Sequence, residues 1–364
     1  MFFKDKYFVA ALGLAMITSP AALDDASARS GASATAQAPA KMALEMEIER
    51  IARRNEGNVG VAVRHLETGR SVSINNGELY FMASTYKIPI AVQALRRVEA
   101  GELSLDQLIG IRGDEYVKWS IVEERLSRGP AALSLSNIIE LTMVLSDNTA
   151  TDVLMRAAGG ASAVTAMVRG AAINDLTVSR TTKQLLVEFA DYPPLTRLVR
   201  DEGLSFAAAW DRMTPEDEGR AEALMAERYA DDKYVGDFLA DPRDKASPDA
   251  MLNFLEQLWR GDLLNAEHTQ LMKDIMARCE TGKNRIEGKL PAGTRVMHKT
   301  GTLDGPTGVT NNAGVIELPG GRGNLAVVIY VRNGNSEIAA NEEIIADIAQ
   351  MAYNYFVLTT PAAD

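Results

Sequence analysis

Apolar positions along this chain follow two rhythms, strand-like near both ends and helix-like between them. A helix is predicted over 41–55, with Met42, Leu44, Met46 and Ile51 among its apolar positions. Residues 58–66 alternate around Val61 and Val63 and predict a strand. Gly69 marks the turn into a second strand that starts at 71–74. A helical pattern then runs from Ser84 to about Ala100 and stops at Gly101. Pro89 lies in its early turns, where a slight bend is expected. Leu135, Ile138, Ile139, Leu141, Met143 and Leu145 predict a buried helix, and another begins near Asn148. Thr214-Pro215-Glu216-Asp217 combines a capping threonine, a proline at the first helical position and an aspartate three residues on, so a helix is predicted to about Ala230. Residues 248–259 and 265–278 are two more helices. Strand character returns at 294–300, 314–318 and 324–331 between glycine-rich turns. Ile338, Ile344, Ile345, Ile348, Met351 and Ala352 then place a helix over 336–358.

This order predicts an α/β (α+β) fold. An antiparallel sheet with flanking helices is assembled from residues 41–83 and 291–358, and 84–290 form a mostly helical middle subdomain. The first residues read differently. Lys4 and Lys6 precede an apolar run from Tyr7 to Ile17 that is too short to span a bilayer, and Ala26-Ser27-Ala28 fits a cleavage site, with Ala32-Ser33-Ala34 as a second option. Residues 1–28 are therefore expected to be a signal peptide and 29–40 a disordered lead-in. The mature chain is expected in the periplasm or secreted, with no transmembrane segment. The net charge of −11 and sequence pI near 5.0, with no basic cluster, argue against a nucleic-acid partner. Cys279 is the single cysteine, so no intrachain disulfide forms. His65, His268 and His298 are scattered, and neither a metal site nor a cofactor is expected. A monomer is expected.

Three short motifs carry chemistry: Ser84-Thr-Tyr-Lys87, Ser146-Asp147-Asn148 and Lys299-Thr300-Gly301. Ser84 is expected at a helix start, where free N–H groups favour developing negative charge, and Lys87 shares its helix face. A lysine whose pKa is lowered by burial or by a neighbouring cation can take the serine proton. Ser146 would relay a proton to a leaving nitrogen, Asn148 would orient a substrate amide, and Asp147 would hold the loop. Lys299, on a strand ending at the motif, would reach the nucleophile and a substrate carboxylate. Gly301 would let a ligand approach the backbone, and the Thr302 N–H would complete an oxyanion hole with that of Ser84. Taken singly, each motif is equally a helix cap or a strand end. Taken together and in this order, they point to a serine acyl-transferase site.

By these motifs the chain resembles class A β-lactamases and their penicillin-binding relatives over about residues 41–358. Trp119 falls where such proteins carry an aromatic wall. Arg243-Asp244 through Pro248, Leu290-Pro291-Ala292-Gly293 and Thr310-Asn311 also resemble family segments. The resemblance implies an acylated Ser84, with Lys87 as its base and Ser146 as relay. Lys299, Thr300 and Thr302 would hold the carboxylate of a β-lactam or peptidoglycan peptide. One departure stands out. The family's deacylating glutamate is expected soon after Arg180, yet the run is Arg180-Thr181-Thr182-Lys183-Gln184-Leu185-Leu186. Pairing of Arg180 with Asp244 would close a much enlarged loop, with about 187–240 as extra sequence and Glu188, Glu202 and Glu216 as substitute carboxylates. The alternatives are a DD-carboxypeptidase, penicillin-binding protein or esterase with slow deacylation, or a non-catalytic β-lactam or peptidoglycan sensor. A Ser-His-Asp hydrolase is disfavoured because no G-x-S-x-G elbow exists.

Overall fold

The computed structural model describes residues 39–363 apart from 56, 119, 230, 304–306, 333 and 335–336. The segment read as a signal peptide, nearly all of the lead-in, and Trp119 lie outside the described residues. Helix α1 (39–52) leads into the hairpin β1 (Asn58–His65) and β2 (Ser71–Ile74) and a two-residue strand β3 (Tyr80–Phe81). The middle of the chain holds α2 (Lys87–Glu99), β4 (Leu108–Gly110), α3 (Ile121–Leu126), β5 (Ala132–Ser134), α4 (Leu135–Val144), α5 (Asn148–Ala157) and α6 (Ala161–Gly170). Then come α7 (Thr182–Ala190), α8 (Pro193–Arg200), α9 (Phe206–Trp210), α10 (Pro215–Tyr229) and α11 (Asp232–Ala240). β6 (Lys245–Ala246), α12 (Pro248–Arg260) and α13 (Ala266–Ala277) complete the middle, and β7 (Val296–Leu303), β8 (Val309–Glu317), β9 (Asn324–Arg332) and α14 (Ile338–Thr359) follow.

The main sheet is antiparallel with order β2-β1-β9-β8-β7, so strands from the two ends of the chain pair side by side, Val61 opposite Ile329. β9 explains why its sequence is one unbroken apolar run: both faces are covered. Leu325, Val327, Ile329 and Val331 point into one core with Leu44, Ile48 and Ile51 of α1 and Ile344, Ile345 and Phe356 of α14. The alternate residues Ala326, Val328 and Tyr330 point into the other core, shared with α2, α4, α5 and α12. Full burial of one such aliphatic side chain is worth about 1.5–3 kcal/mol. Helix ends are set by local chemistry. Ser247 caps α12 by accepting from the Ala250 N–H, Pro248 takes its first position, and Gly261 ends it at φ 81°. At α10, Thr214 and Asp217 bond each other's backbone N–H reciprocally.

Three expectations change. Ser84 does not lie on an α-helix: it sits in a 3₁₀ turn, Ala83–Tyr86, and α2 begins at Lys87. Pro89 is the third residue of α2, where N–H groups have no intrahelical acceptor, so the helix loses no bond to it. β7 does not stop at the third motif but continues through it to Leu303.

Residues 187–240 fold as the end of α7 and the helices α8–α11, with a small core of their own made by Tyr192, Leu195, Leu198, Ala209, Trp210 and Ala221. Phe238 of α11 packs edge-on against both Phe189 of α7 and Phe81 of β3. This segment is thereby fastened close to the turn that carries Ser84.

Candidate active site

Ser84 is half-buried at the tip of its turn, and the turn is fixed from three sides. Ala83 takes the left-handed conformation at φ 45°, which reverses the chain just before the serine. The buried Asn311 of β8 donates its amide to the carbonyls of Phe81 and Met82 (2.8 and 3.1 Å) while accepting from the Val331 N–H. Thr85 bonds the Met82 carbonyl and the Tyr330 hydroxyl. Gly301 completes the seat. A Cβ on it would stand 2.5 Å from the Met82 oxygen and 3.2 Å from the Ser84 nitrogen. Its missing side chain therefore makes room for the serine turn, where the sequence suggested room for a ligand.

The second motif closes on the first through two amines. Lys87 Nζ lies 2.7 Å from the Ser146 carbonyl oxygen, 3.2 Å from Ser146 Oγ and 2.9 Å from Asn148 Oδ1. Lys299 Nζ lies 2.9 Å from the same Ser146 Oγ and 3.0 Å from the Thr300 carbonyl oxygen. Ser146 holds this place at φ 60°, a conformation that non-glycine residues rarely take. Asp147 sustains it by accepting from the N–H groups of Ala150 and Val122. The Asn148 oxygen faces Lys87, which leaves its amide nitrogen as a donor for a ligand carbonyl.

Both lysines are fully buried. Burial, then the Lys299 ammonium, holds Lys87 well below the usual lysine range. Burial, opposed by the Cys279 thiol and assisted by Arg285, lowers Lys299 to about 8. Thr300 Oγ1 is bonded to Thr281 Oγ1 at 2.5 Å, and Thr302 Oγ1 accepts from Arg285, whose guanidinium also holds the carbonyls of Gly301 and Asn311. Behind the strand, Cys279 and His298 are buried together. Burial pushes the thiol up, but His298 outweighs it and brings Cys279 down to about 6. Burial would lower His298, but the neighbouring Cys279 and Glu287 raise it to about 9. His298 faces Glu287 at 3.1 Å and Asn312 at 3.1 Å.

The segment between Arg180 and Asp244 is closed at its neck by a buried ion pair, Arg180 Nε to Asp244 Oδ2 at 2.6 Å, and Asp244 Oδ1 accepts the N–H groups of Ser179 and Arg180. The three substitute carboxylates serve elsewhere. Glu188 pairs with Arg180 and Arg243, Glu202 with Arg197 and Arg212, and Glu216 with Arg220 on an exposed face. Thr182 stands at the loop position instead, its hydroxyl 2.6 Å from the Tyr86 hydroxyl. Beneath it lies a carboxylate that the sequence did not single out. Asp152 of α5 is buried and accepts the N–H groups of Thr182 and Lys183 (2.6 and 2.9 Å). Its one readable signal is spacing, four residues after Asn148 and so on the same helix face. Arg285 carried no signal in any motif. The structure thus brings Lys87, Ser146, Asn148 and Lys299 together and seats the Ser84 turn against Gly301.

With this geometry in view, the likeness to known proteins is specific. The β-lactamase enzyme family matches over residues 43–356. β-Lactamase VEB-1 of Pseudomonas aeruginosa is 26% identical over 320 residues, 86% of this chain and 90% of that protein. β-Lactamase L2 of Stenotrophomonas maltophilia is 26% identical, covering 76% and 75%. Among solved structures, a β-lactamase from Chitinophaga pinensis superposes with TM-score 0.66 at 27% identity, over 85% of this chain and 98% of that one. An ancestral (GNCA) class A β-lactamase gives 0.65, also at 27% identity and the same coverage. The chain belongs to the β-lactamase enzyme family, in its class A branch.

Proposed function

We propose that the protein is an exported hydrolase that opens β-lactams through a covalent acyl-enzyme at Ser84. The observation that carries this reading is the meeting of two buried amines on one hydroxyl, Lys87 and Lys299 at 3.2 and 2.9 Å from Ser146 Oγ. An amine kept from charging by burial is a base at neutral pH. Lys87 takes the proton of Ser84, whose oxygen attacks the lactam carbonyl. The proton passes from Lys87 through Ser146 Oγ to the nitrogen as the C–N bond breaks. Lys299, with Thr300 and Thr302, holds the substrate carboxylate, and the Asn148 amide donates to the side-chain carbonyl. The N–H groups of Ser84 and Thr302 receive the developing oxyanion, each worth about 10²–10³-fold in rate.

The experiment is intact-protein mass spectrometry after mixing with benzylpenicillin, together with nitrocefin hydrolysis at steady state. A penicilloyl adduct mapping to Ser84, lost in Ser84→Gly, and many turnovers of nitrocefin support the reading. Absence of any adduct on the wild-type protein overturns it. A second reading, a DD-peptidase or esterase with slow deacylation, is favoured by one observation: Thr182 replaces a carboxylate at the loop position. A stoichiometric burst without turnover selects that reading.

A further inference from the structure

Three side chains form a line of hydrogen bonds that ends at the third motif. Thr300 Oγ1 lies 2.5 Å from Thr281 Oγ1, and Thr281 Oγ1 lies 3.3 Å from Cys279 Sγ. The line is tied to the cleft: the Thr300 carbonyl oxygen is 3.0 Å from Lys299 Nζ, which is 2.9 Å from Ser146 Oγ. Gly282 fixes the Thr300 side chain. A Cβ on that glycine would stand 2.5 Å from Thr300 Cγ2, so the methyl group fills the space beside Gly282 while the hydroxyl faces Thr281. Cys279 is fully buried and Thr300 nearly so. Each hydroxyl carries a single proton, so within the threonine pair one donates and the other accepts. If Thr300 donates to Thr281, it presents only lone pairs to an incoming carboxylate. If Thr281 donates to Thr300, the Thr300 proton is available to that carboxylate.

We propose that Thr281, anchored on Cys279, decides whether the Thr300 hydroxyl donates to the substrate carboxylate, so that Thr281 and Cys279 are positioning residues for substrate recognition. The inference deepens the reading above and rests on Thr300 holding that carboxylate. Cys279 sets the direction of the line. Its thiol has the Thr281 hydroxyl as the nearer acceptor, at 3.3 Å against 3.8 Å for the Thr281 carbonyl oxygen. With that bond made, the Thr281 proton turns to Thr300 and the Thr300 proton turns to the substrate. A thiolate only accepts. It draws the Thr281 proton, Thr281 accepts from Thr300, and the anionic substrate then meets an oxygen lone pair. No covalent bond to carbon forms or breaks. The hydroxyls rotate, and the one proton exchanged with bulk is that of the thiol.

The charged groups facing Cys279 are His298 and Lys299 on β7. Glu287, ahead of β7, pairs with His298, and Arg285 acts on Lys299. The flanking helices are α13 and α4, whose Val144 carbonyl accepts from the Glu280 N–H. They contribute Arg278, at the end of α13, and Glu140, which pair with each other at the surface. Burial pushes the Cys279 thiol up, but His298 outweighs it, helped by Lys299 and Thr281, and brings it to about 6. The thiol therefore predominates below about pH 6 and the thiolate above it. Over pH 5–7 a substrate carboxylate stays ionised. His298, raised to about 9, and Lys299, lowered to about 8, stay largely charged over the same interval. Binding of the carboxylate thus strengthens as the pH falls through about 6.

The test measures the dissociation constant of benzylpenicillin by titration calorimetry at pH 5 and pH 7, in a Ser84→Gly parent that cannot be acylated. Cys279→Ser, Thr281→Val and Thr300→Val are added to the parent one at a time. The parent is expected to bind about tenfold more tightly at pH 5, the scale of one hydrogen bond to a charged group. Cys279→Ser keeps its proton at both pH values, so it should bind at pH 7 as tightly as the parent does at pH 5, without pH dependence. Thr281→Val should also lose the pH dependence, since Thr300 then has only the substrate to donate to. A role for Cys279 in packing alone gives weaker binding at both pH values in Cys279→Ser, and that result overturns the inference. So does a parent with no pH dependence, or a dependence that survives in Cys279→Ser and Thr281→Val, as protonation of Lys87 would produce. Thr300→Val binding like the parent at both pH values removes Thr300 from the carboxylate site. Failure of the wild-type protein to form a penicilloyl adduct removes the acyl-enzyme reading itself.

Discussion

The cleft and the inserted helices handle charge in opposite ways. In the cleft, Lys87 and Lys299 are fully buried, and a few neutral oxygens receive both amines. In the insertion, Arg212–Glu202 and Arg220–Glu216 pair on half- to fully exposed surfaces, where an ion pair contributes at most about 1 kcal/mol. Burial is what gives an ionisable group a tuned pKa, as it does for the two cleft lysines. The neck of the loop is where the two regimes meet. Arg180 and Asp244 are buried like the cleft lysines, yet Arg180 also reaches Glu188 and Asp241 toward the insertion.

That contrast can be broken most forcefully at the neck. Asp244→Ala leaves the Arg180 guanidinium buried with weaker partners and the Ser179 and Arg180 N–H groups unpaired, so a loss of about 3–5 kcal/mol is expected in urea unfolding. A loss below about 1 kcal/mol would place the neck with the surface pairs. Next comes the serine seat. Gly301→Ala puts a carbon 2.5 Å from the Met82 oxygen, for an expected loss of about 1–3 kcal/mol together with slowed acylation, read by thermal melting and adduct formation. Wild-type stability and acylation in that variant would show the turn to be yielding.

A smaller effect sharpens the comparison through pH. Lys299 is lowered to about 8, and only its charged form attracts an anionic substrate. The value of kcat/KM for benzylpenicillin should therefore fall by up to tenfold per unit as pH rises through about 8, and Lys299→Arg should shift that limb upward. A flat profile from pH 7 to 9.5 would mean that Lys299 does not bind the carboxylate in its charged form. The smallest effect is expected in the insertion, where Arg220→Ala should change stability by no more than about 0.5 kcal/mol.

Sequence patterns made some of this visible for identifiable reasons. β9 was legible because a strand covered on both faces is apolar at every position, and α10 because Thr214, Pro215 and Asp217 are capping chemistry written in order. The three motifs were legible as words, and their convergence only through the family likeness. Helices α8 and α9 were not read, since their small core draws on a few scattered apolar residues. Asp152 was missed because an aspartate inside a helix looks like a solvated one until the start of α7 is placed above it. Gly301 was assigned to the ligand because a close approach of two strand-distant backbones is invisible in local sequence.

Asn311 imposes an order in time. It clasps the carbonyls of Phe81 and Met82 from 230 and 229 positions downstream and is itself clasped by β9. Such a long-range closure is a slow step in forming any native structure. A nascent polypeptide emerging from a ribosome has its serine long before it has this clamp. The seat of the serine therefore belongs to the finished molecule alone, and an unfolded chain lacks it.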